Sequence, residues 1–180
     1  MNALAISFAL LLPLSGGLPA FAQAPLSHAQ HSPAAASADL DVPAAAEAAV
    51  AVTEQFNTAL SSGDLGTVET LLDPDVLILE SGGAERSREE YMGHHAASDA
   101  AFLKGAHRQL RHQRARTAGE FAWVATESEL HAQKNGKPLT VLSVETMVLK
   151  QTEVGWRIVH IHWSSRTKPS TEPFAQVADI

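Results

Sequence analysis

"ETMVLKQTEVGWRIVHIHWSS", Glu145 to Ser165, reads as two strands joined by a turn at Glu153–Gly155. Apolar and polar residues alternate on both sides of that turn, and Val, Ile, Thr and Trp suit a pleated, half-buried surface. Residues i and i+2 of a strand share a face. The spacing therefore puts Ile158, His160, His162 and Ser164 on one face of the last strand, with Arg157, Val159, Ile161 and Trp163 on the other. Two adjacent imidazoles on one face of an apolar strand raise the question of what they look at.

The same period of two runs back to residue 107. The segments 107–117, 121–132, 138–151 and 156–166 read as four antiparallel strands, with Asn135-Gly136 as a tight hairpin between the second and third. Upstream of Gly105 the pattern is helical. A first helix from Ala44 to Gly63 has Val50, Thr53, Phe56, Asn57 and Leu60 along one side; a short second one starts at Asp64 and stops before Pro74. Val76–Ser81 is a small strand, followed by a turn at Gly82-Gly83. Ser87 and Glu90 form an S-x-x-E capping box that opens a third helix, expected to run unbroken to Gly105. Three helices and a small strand before a long meander make an α+β layout, with helices on one side of the sheet and room for a ligand between them.

The chain has 180 residues, room for one domain and some length to spare. Its net charge of −7, with no basic block, argues against a nucleic-acid partner, and the absence of cysteine excludes disulfides and thiolate metal sites. Residues 1–22 read as a signal peptide: an apolar core at residues 3–14, then Ala20-Phe21-Ala22 as an A-x-A cleavage site. That core is broken by Pro13 and too short to span a bilayer, so a periplasmic or secreted domain with no membrane contact after cleavage is expected. Residues 23–43 are Ala, Ser and Pro with few large apolar groups, the composition of a flexible linker. The domain then covers 44–166, and the tail 167–180, with Pro169 and Pro173, reads as irregular.

Two stretches carry a family resemblance: "FNTALSSGDLGTVETLLDPDVLILESGG", Phe56 to Gly83, and the Glu145–Ser165 stretch. Together they resemble the NTF2-like superfamily in its SnoaL-like branch. The second is also similar to the association domain of calcium/calmodulin-dependent protein kinase II, whose final strands carry a similar E-T, G-W and V-H-x-H-x-S run. The resemblance implies a cone-shaped α+β barrel, three N-terminal helices on a curved antiparallel sheet. It also implies a homodimer and a pocket used in different members for isomerisation, dehydration, cyclisation, binding or assembly, the enzymes among them working without a cofactor. The kinase domain lines its pocket with several arginines; "PLTVLSVET" here has none before Glu145.

On a wheel of about 100° per residue, the third helix gathers Met92, His95, Ala96, Asp99 and Leu103 on one side. His95 and Asp99, four apart, are expected to touch. A carboxylate in the middle of an apolar helix face needs a partner, and His95 is the one at hand. If the face of His160 and His162 is the concave one, these histidines converge on His95 and Asp99, and the four are the candidate catalytic set. Tyr91, Glu80 and Trp123 are the candidate ligand contacts. Core packing is the plainer role for Tyr91 and Trp123, and Glu80 either reaches the pocket mouth or starts the turn.

Three functions fit. A lyase or isomerase would convert a small molecule by acid–base chemistry on His95, Asp99, His160 and His162, with no cofactor needed. A metal site would hold Zn or Cu through His95, His160 and His162 with Asp99 or Glu80. A non-catalytic association or ligand-binding domain would use Val159, Ile161 and Trp163 as an outward contact face.

Overall fold

The computed structural model describes residues 37–169; the proposed signal peptide, most of the proposed linker and the tail from residue 170 lie outside the described residues. After a 3-10 turn at Ala44–Ala46, helix α1 (Glu47–Ser62) buries Ala49, Thr53, Phe56, Ala59 and Leu60; Thr53, Phe56 and Leu60 are on the expected side, and Val50 and Asn57 are partly buried. Gly63, at φ 79°, ends it in the left-handed conformation that glycine adopts without steric cost. Helix α2 (Leu65–Leu71) starts where expected, with the Asp64 side chain accepting from the Thr67 N–H.

Strands β1 (Asp39–Asp41), β2 (Leu72–Glu80), β3 (Gly83–Glu85), β4 (His107–Ala118), β5 (Phe121–Lys134), β6 (Lys137–Thr152) and β7 (Gly155–Thr167) form one curved sheet in the order β1-β4-β5-β6-β7-β2-β3. The sheet does not close into a barrel; β1 and β3 are its edges. The four long strands are antiparallel neighbours, as the alternation indicated, whereas β1 on β4 and β2 on β7 are parallel pairs between segments far apart in sequence. The helices pack on one face, α1 against β5 and β7 and α3 (Arg88–Gly93) against β2.

Three expectations change. Asp39–Asp41, inside the segment whose composition reads as linker, adds a strand beside His112–Arg114. Its Asp41 carboxylate lies 2.8 Å from Arg116 Nη2 and 3.9 Å from Arg114 Nε, so backbone pairing and charge supply what a core could not. The third helix is two: α3 ends at Gly93, His94 (φ −125°, ψ −70°) leaves the helical region, and α4 (Ala96–Leu103) begins after His95. Glycine, the poorest ordinary helix former, marks the break.

The third change is in β7. Val148 pairs with His160, but Leu149 pairs with Ile158, so Val159 is an extra residue, a β-bulge. The bulge inverts the parity of the strand: Ile158, Ile161 and Trp163 face the helices, and His160, His162 and Ser164 face away. Ile158 and Ile161 are fully buried, and the Trp163 ring stacks on Phe56 with centroids 6.3 Å apart. Phe56 thus joins the inward face of α1 to β7. Phe56→Ala should destabilise the domain by about 3–5 kcal/mol, read as a lowered midpoint in urea unfolding; a change well under 1 kcal/mol would mean that this contact does not hold α1 to the sheet.

Candidate functional site

Between the helices and the sheet lies a half-open cavity of about 270 Å³, near the lower end of the range for small-molecule sites. Leu60, Phe102, Leu103, Leu130 and Val141 form its apolar wall. Its polar groups fall in two sets, one on α1, β4, β5, β6 and β7, the other on β2 and α4.

Glu145 centres the first set. Alternation along β6 places it on the side of Met147 and Leu149, which are fully buried. Both carboxylate oxygens are engaged: Asn57 Nδ2 of α1 donates to Oε1 at 3.2 Å and Trp163 Nε1 donates to Oε2 at 2.7 Å. Burial pushes this carboxyl above the usual glutamate range, against the opposite pull of the two donors and of Arg108. Arg108, from β4, also lines the cavity, and its Nη1 is tied to Glu54 of α1 at 2.8 Å. The cavity therefore holds an arginine, supplied by a strand other than the "PLTVLSVET" one. Thr126 contributes a buried hydroxyl to the wall that has no hydrogen-bond partner within the protein.

Asp99 centres the second set. Its Oδ2 accepts from the hydroxyl of Tyr91 at 3.1 Å, and burial raises its carboxyl above the usual aspartate range. Tyr91 is fully buried, and burial with the charge of Asp99 pushes its phenol well up, so it remains a donor. Glu80 shares the inward face of β2 with Val76 and Ile78 and reaches the cavity; burial, Asp99 and Glu85 raise its carboxyl. His95 does not bond Asp99 as its spacing suggested. It closes the turn between α3 and α4, its Nδ1 bonds Glu85 Oε1, and Glu80 Oε1 lies 3.5 Å away. The hydrogen bond and charge of Glu85 raise its affinity for a proton.

The remaining expected residues are elsewhere. The ring of His160 donates from Nδ1 to the Leu77 carbonyl at 2.8 Å, and His162 is exposed; both lie on the outer face of the sheet, opposite to Trp163, because of the Val159 bulge. Neither joins His95, so His95, His160 and His162 do not form one set. Trp123 is also on the outer face and 39% exposed rather than in contact with the cavity. Ile161 and Trp163 point inward, so they do not form the outward contact face expected of them. Of the expected residues, then, Asp99, Tyr91, Glu80 and His95 come together. Sequence reasoning passed over Asn57 and Glu145 as site residues, although each is a polar position on an apolar face, the same signal that singled out Asp99. Glu85, in a three-residue strand after a glycine turn, offered no such signal.

A family model described as a SnoaL-like domain matches residues 49–167. No curated protein matches. Among solved structures, the chain is similar to a Shewanella frigidimarina protein provisionally assigned as a ketosteroid isomerase, with 36% identity, TM-score 0.63, and coverage of 65% of this chain and 94% of that one. It is also similar to a Xanthomonas campestris protein provisionally assigned as a calcium/calmodulin-dependent protein kinase II association domain, at 25% identity, TM-score 0.57, and 72% and 95% coverage. The association domain of the C. elegans kinase matches at 23% identity, TM-score 0.58, and 67% and 95% coverage, a likeness of fold.

The Glu145 geometry has a consequence for stability. An unfolded glutamate releases its proton near 4.5, whereas folded Glu145 holds it to higher pH. In that window the folded state binds more protons than the unfolded one, so the contribution of this group to stability falls as pH rises. Urea midpoints measured from pH 4.5 to neutrality should decline more for the wild type than for Glu145→Gln; parallel curves would show that Glu145 carries no such cost.

Proposed function

The chain belongs to the SnoaL-like family and has the NTF2-like fold, and we propose that it binds a small, largely apolar carbonyl compound and moves a proton on it, as a lyase or isomerase. One observation carries this reading: Asp99 and Glu145 line the same apolar cavity, each tied to an aromatic donor, Tyr91 or Trp163, and each with its proton affinity raised by burial. Raised carboxylates in an apolar pocket are suited to proton transfer near neutral pH. Asp99 is the general base, in the place that the sequence suggested for a histidine. Glu145, protonated, donates to the oxygen on which negative charge develops, with Arg108 beside it. The partnerless Thr126 hydroxyl is a further contact for a ligand oxygen. The provisional assignment of the Shewanella relative as an isomerase of a ketosteroid lies in the same reaction class.

The outer face supports a second proposal, a homodimer built on the sheet. Leu77, Leu79, Trp123 and Val144 are each between 36% and 48% exposed there, around His160 and His162. Exposed large apolar side chains gathered on one sheet face mark contact sites, and the similar association domains are named for assembly. By light scattering on the eluting peak, the wild type should be a dimer and Val144→Asp a monomer of unchanged circular dichroism. A monomeric wild type would end this reading.

For the pocket, a panel of enolisable ketones in deuterated water should show wash-in of deuterium next to the carbonyl, followed by NMR. Asp99→Asn should slow the best substrate by roughly 100-fold or more, with ligand binding retained. Wash-in that is indifferent to both Asp99→Asn and Glu145→Gln would overturn the assignment.

A further inference from the structure

We propose that Glu80, Glu85 and His95 form a binding site for one divalent first-row transition cation. This goes beyond the pocket chemistry, since neither Glu85 nor His95 lines the cavity, and it uses a different ligand set from the three histidines. One ligand atom from each of the three side chains lies within 4.8 Å of the others, and they are the one such group among the described residues. Bonds of about 2.1 Å to a shared ion set neighbouring donors roughly 3–4 Å apart; His95 Nδ1 already stands 3.5 Å from Glu80 Oε1, so a modest rearrangement opens the His95–Glu85 contact to admit the ion. His95 and Glu80 can supply it, because their side chains are 51% and 26% exposed.

Two independent features point to a cation. Glu85 is 3% exposed and its carboxylate is turned into the group: Oε1 meets His95 Nδ1, while Oε2 is buried with no hydrogen-bond partner. A buried carboxylate oxygen without a partner is costly, and a metal ion satisfies it directly. The charge is also unbalanced. Glu80, Glu85 and the neighbouring Asp99 bring three carboxylates, and among the described residues the ion pairs of Glu80 and Glu85 are with His95 alone.

One imidazole with two carboxylates is a mixed nitrogen and oxygen set, suited to Zn2+, Fe2+ or Mn2+ rather than to Cu+ or to an oxygen-only cage. The buried Glu85 is the anchor. His95, between two helices, and Glu80, at the end of β2, are the arms that close on the ion. Because Glu80 also reaches the cavity, the open coordination positions of a bound ion would lie beside the pocket.

The test is titration of the untagged full chain, stripped with chelator and exchanged into chelator-free buffer, with ZnCl2 in a calorimeter. A parallel titration with CoCl2 is followed by visible absorption. The wild type should bind one Zn2+ per chain with a dissociation constant that rises at least tenfold in both Glu85→Gln and His95→Gln, and the visible cobalt bands should weaken in the same two variants. His160→Ala/His162→Ala should bind like the wild type. If Glu85→Gln fails to fold by circular dichroism, His95→Gln, which alters a half-exposed side chain, decides the matter. No zinc binding by the wild type, zinc binding unchanged in His95→Gln, or loss only in the His160/His162 variant would each overturn the site.

Discussion

A single extra residue in β7, Val159, sets which side chains the sheet presents to the helices. Strand parity is binary, so a one-residue bulge exchanges the two faces beyond it. Here it allows Ile158 to stay buried against Leu149 while Ile161 and Trp163 turn inward beside Met147. Trp163 then stacks on Phe56 of α1 and donates to Glu145 of β6. One tryptophan thereby joins the helix layer, the last strand and the cavity carboxylate. With the opposite parity two histidines would lie beneath α1, where their ring nitrogens would need partners that an apolar helix stripe does not offer.

The buried carboxylates follow from the same economy. Each is kept by a partner of a different kind: Glu145 by an amide and an indole, Asp99 by a phenol, Glu85 by an imidazole. Burial raises the proton affinity of the first two, and their neutral donors offset it only in part. His95 in contrast gains a proton affinity of its own from Glu85. The site thus divides into a cavity whose carboxyls have raised proton affinity and an adjacent cluster of two carboxyls on one imidazole, and the break between α3 and α4 keeps His95 with the second rather than the first.

Much of this was legible in the residues. Period two over 107–166 and the Asn135-Gly136 hairpin mark the four long strands, and the capping residues Asp64 and Ser87 mark the helix starts. The rule that a carboxylate on an apolar face must have a partner located Asp99, and applied to β6 it finds Glu145 as well. The partners themselves were not legible. Asp99 has His95 four residues away and Tyr91 eight residues away; spacing favours the first, and the turn at His94 delivers the second.

The sequence by itself determined the α+β class, the order of helices and long strands, and the positions where a polar group interrupts an apolar face, because these depend on local periodicity and on capping chemistry. Tertiary structure alone decided the parity of β7, the parallel pairings of β1 and β2, and which donor meets which carboxylate. Each of these depends on contacts between segments far apart in the chain. A bulge such as Val159 leaves no mark in composition or period; it exists because burying Ile158, Ile161 and Trp163 together is more favourable than keeping the strand regular.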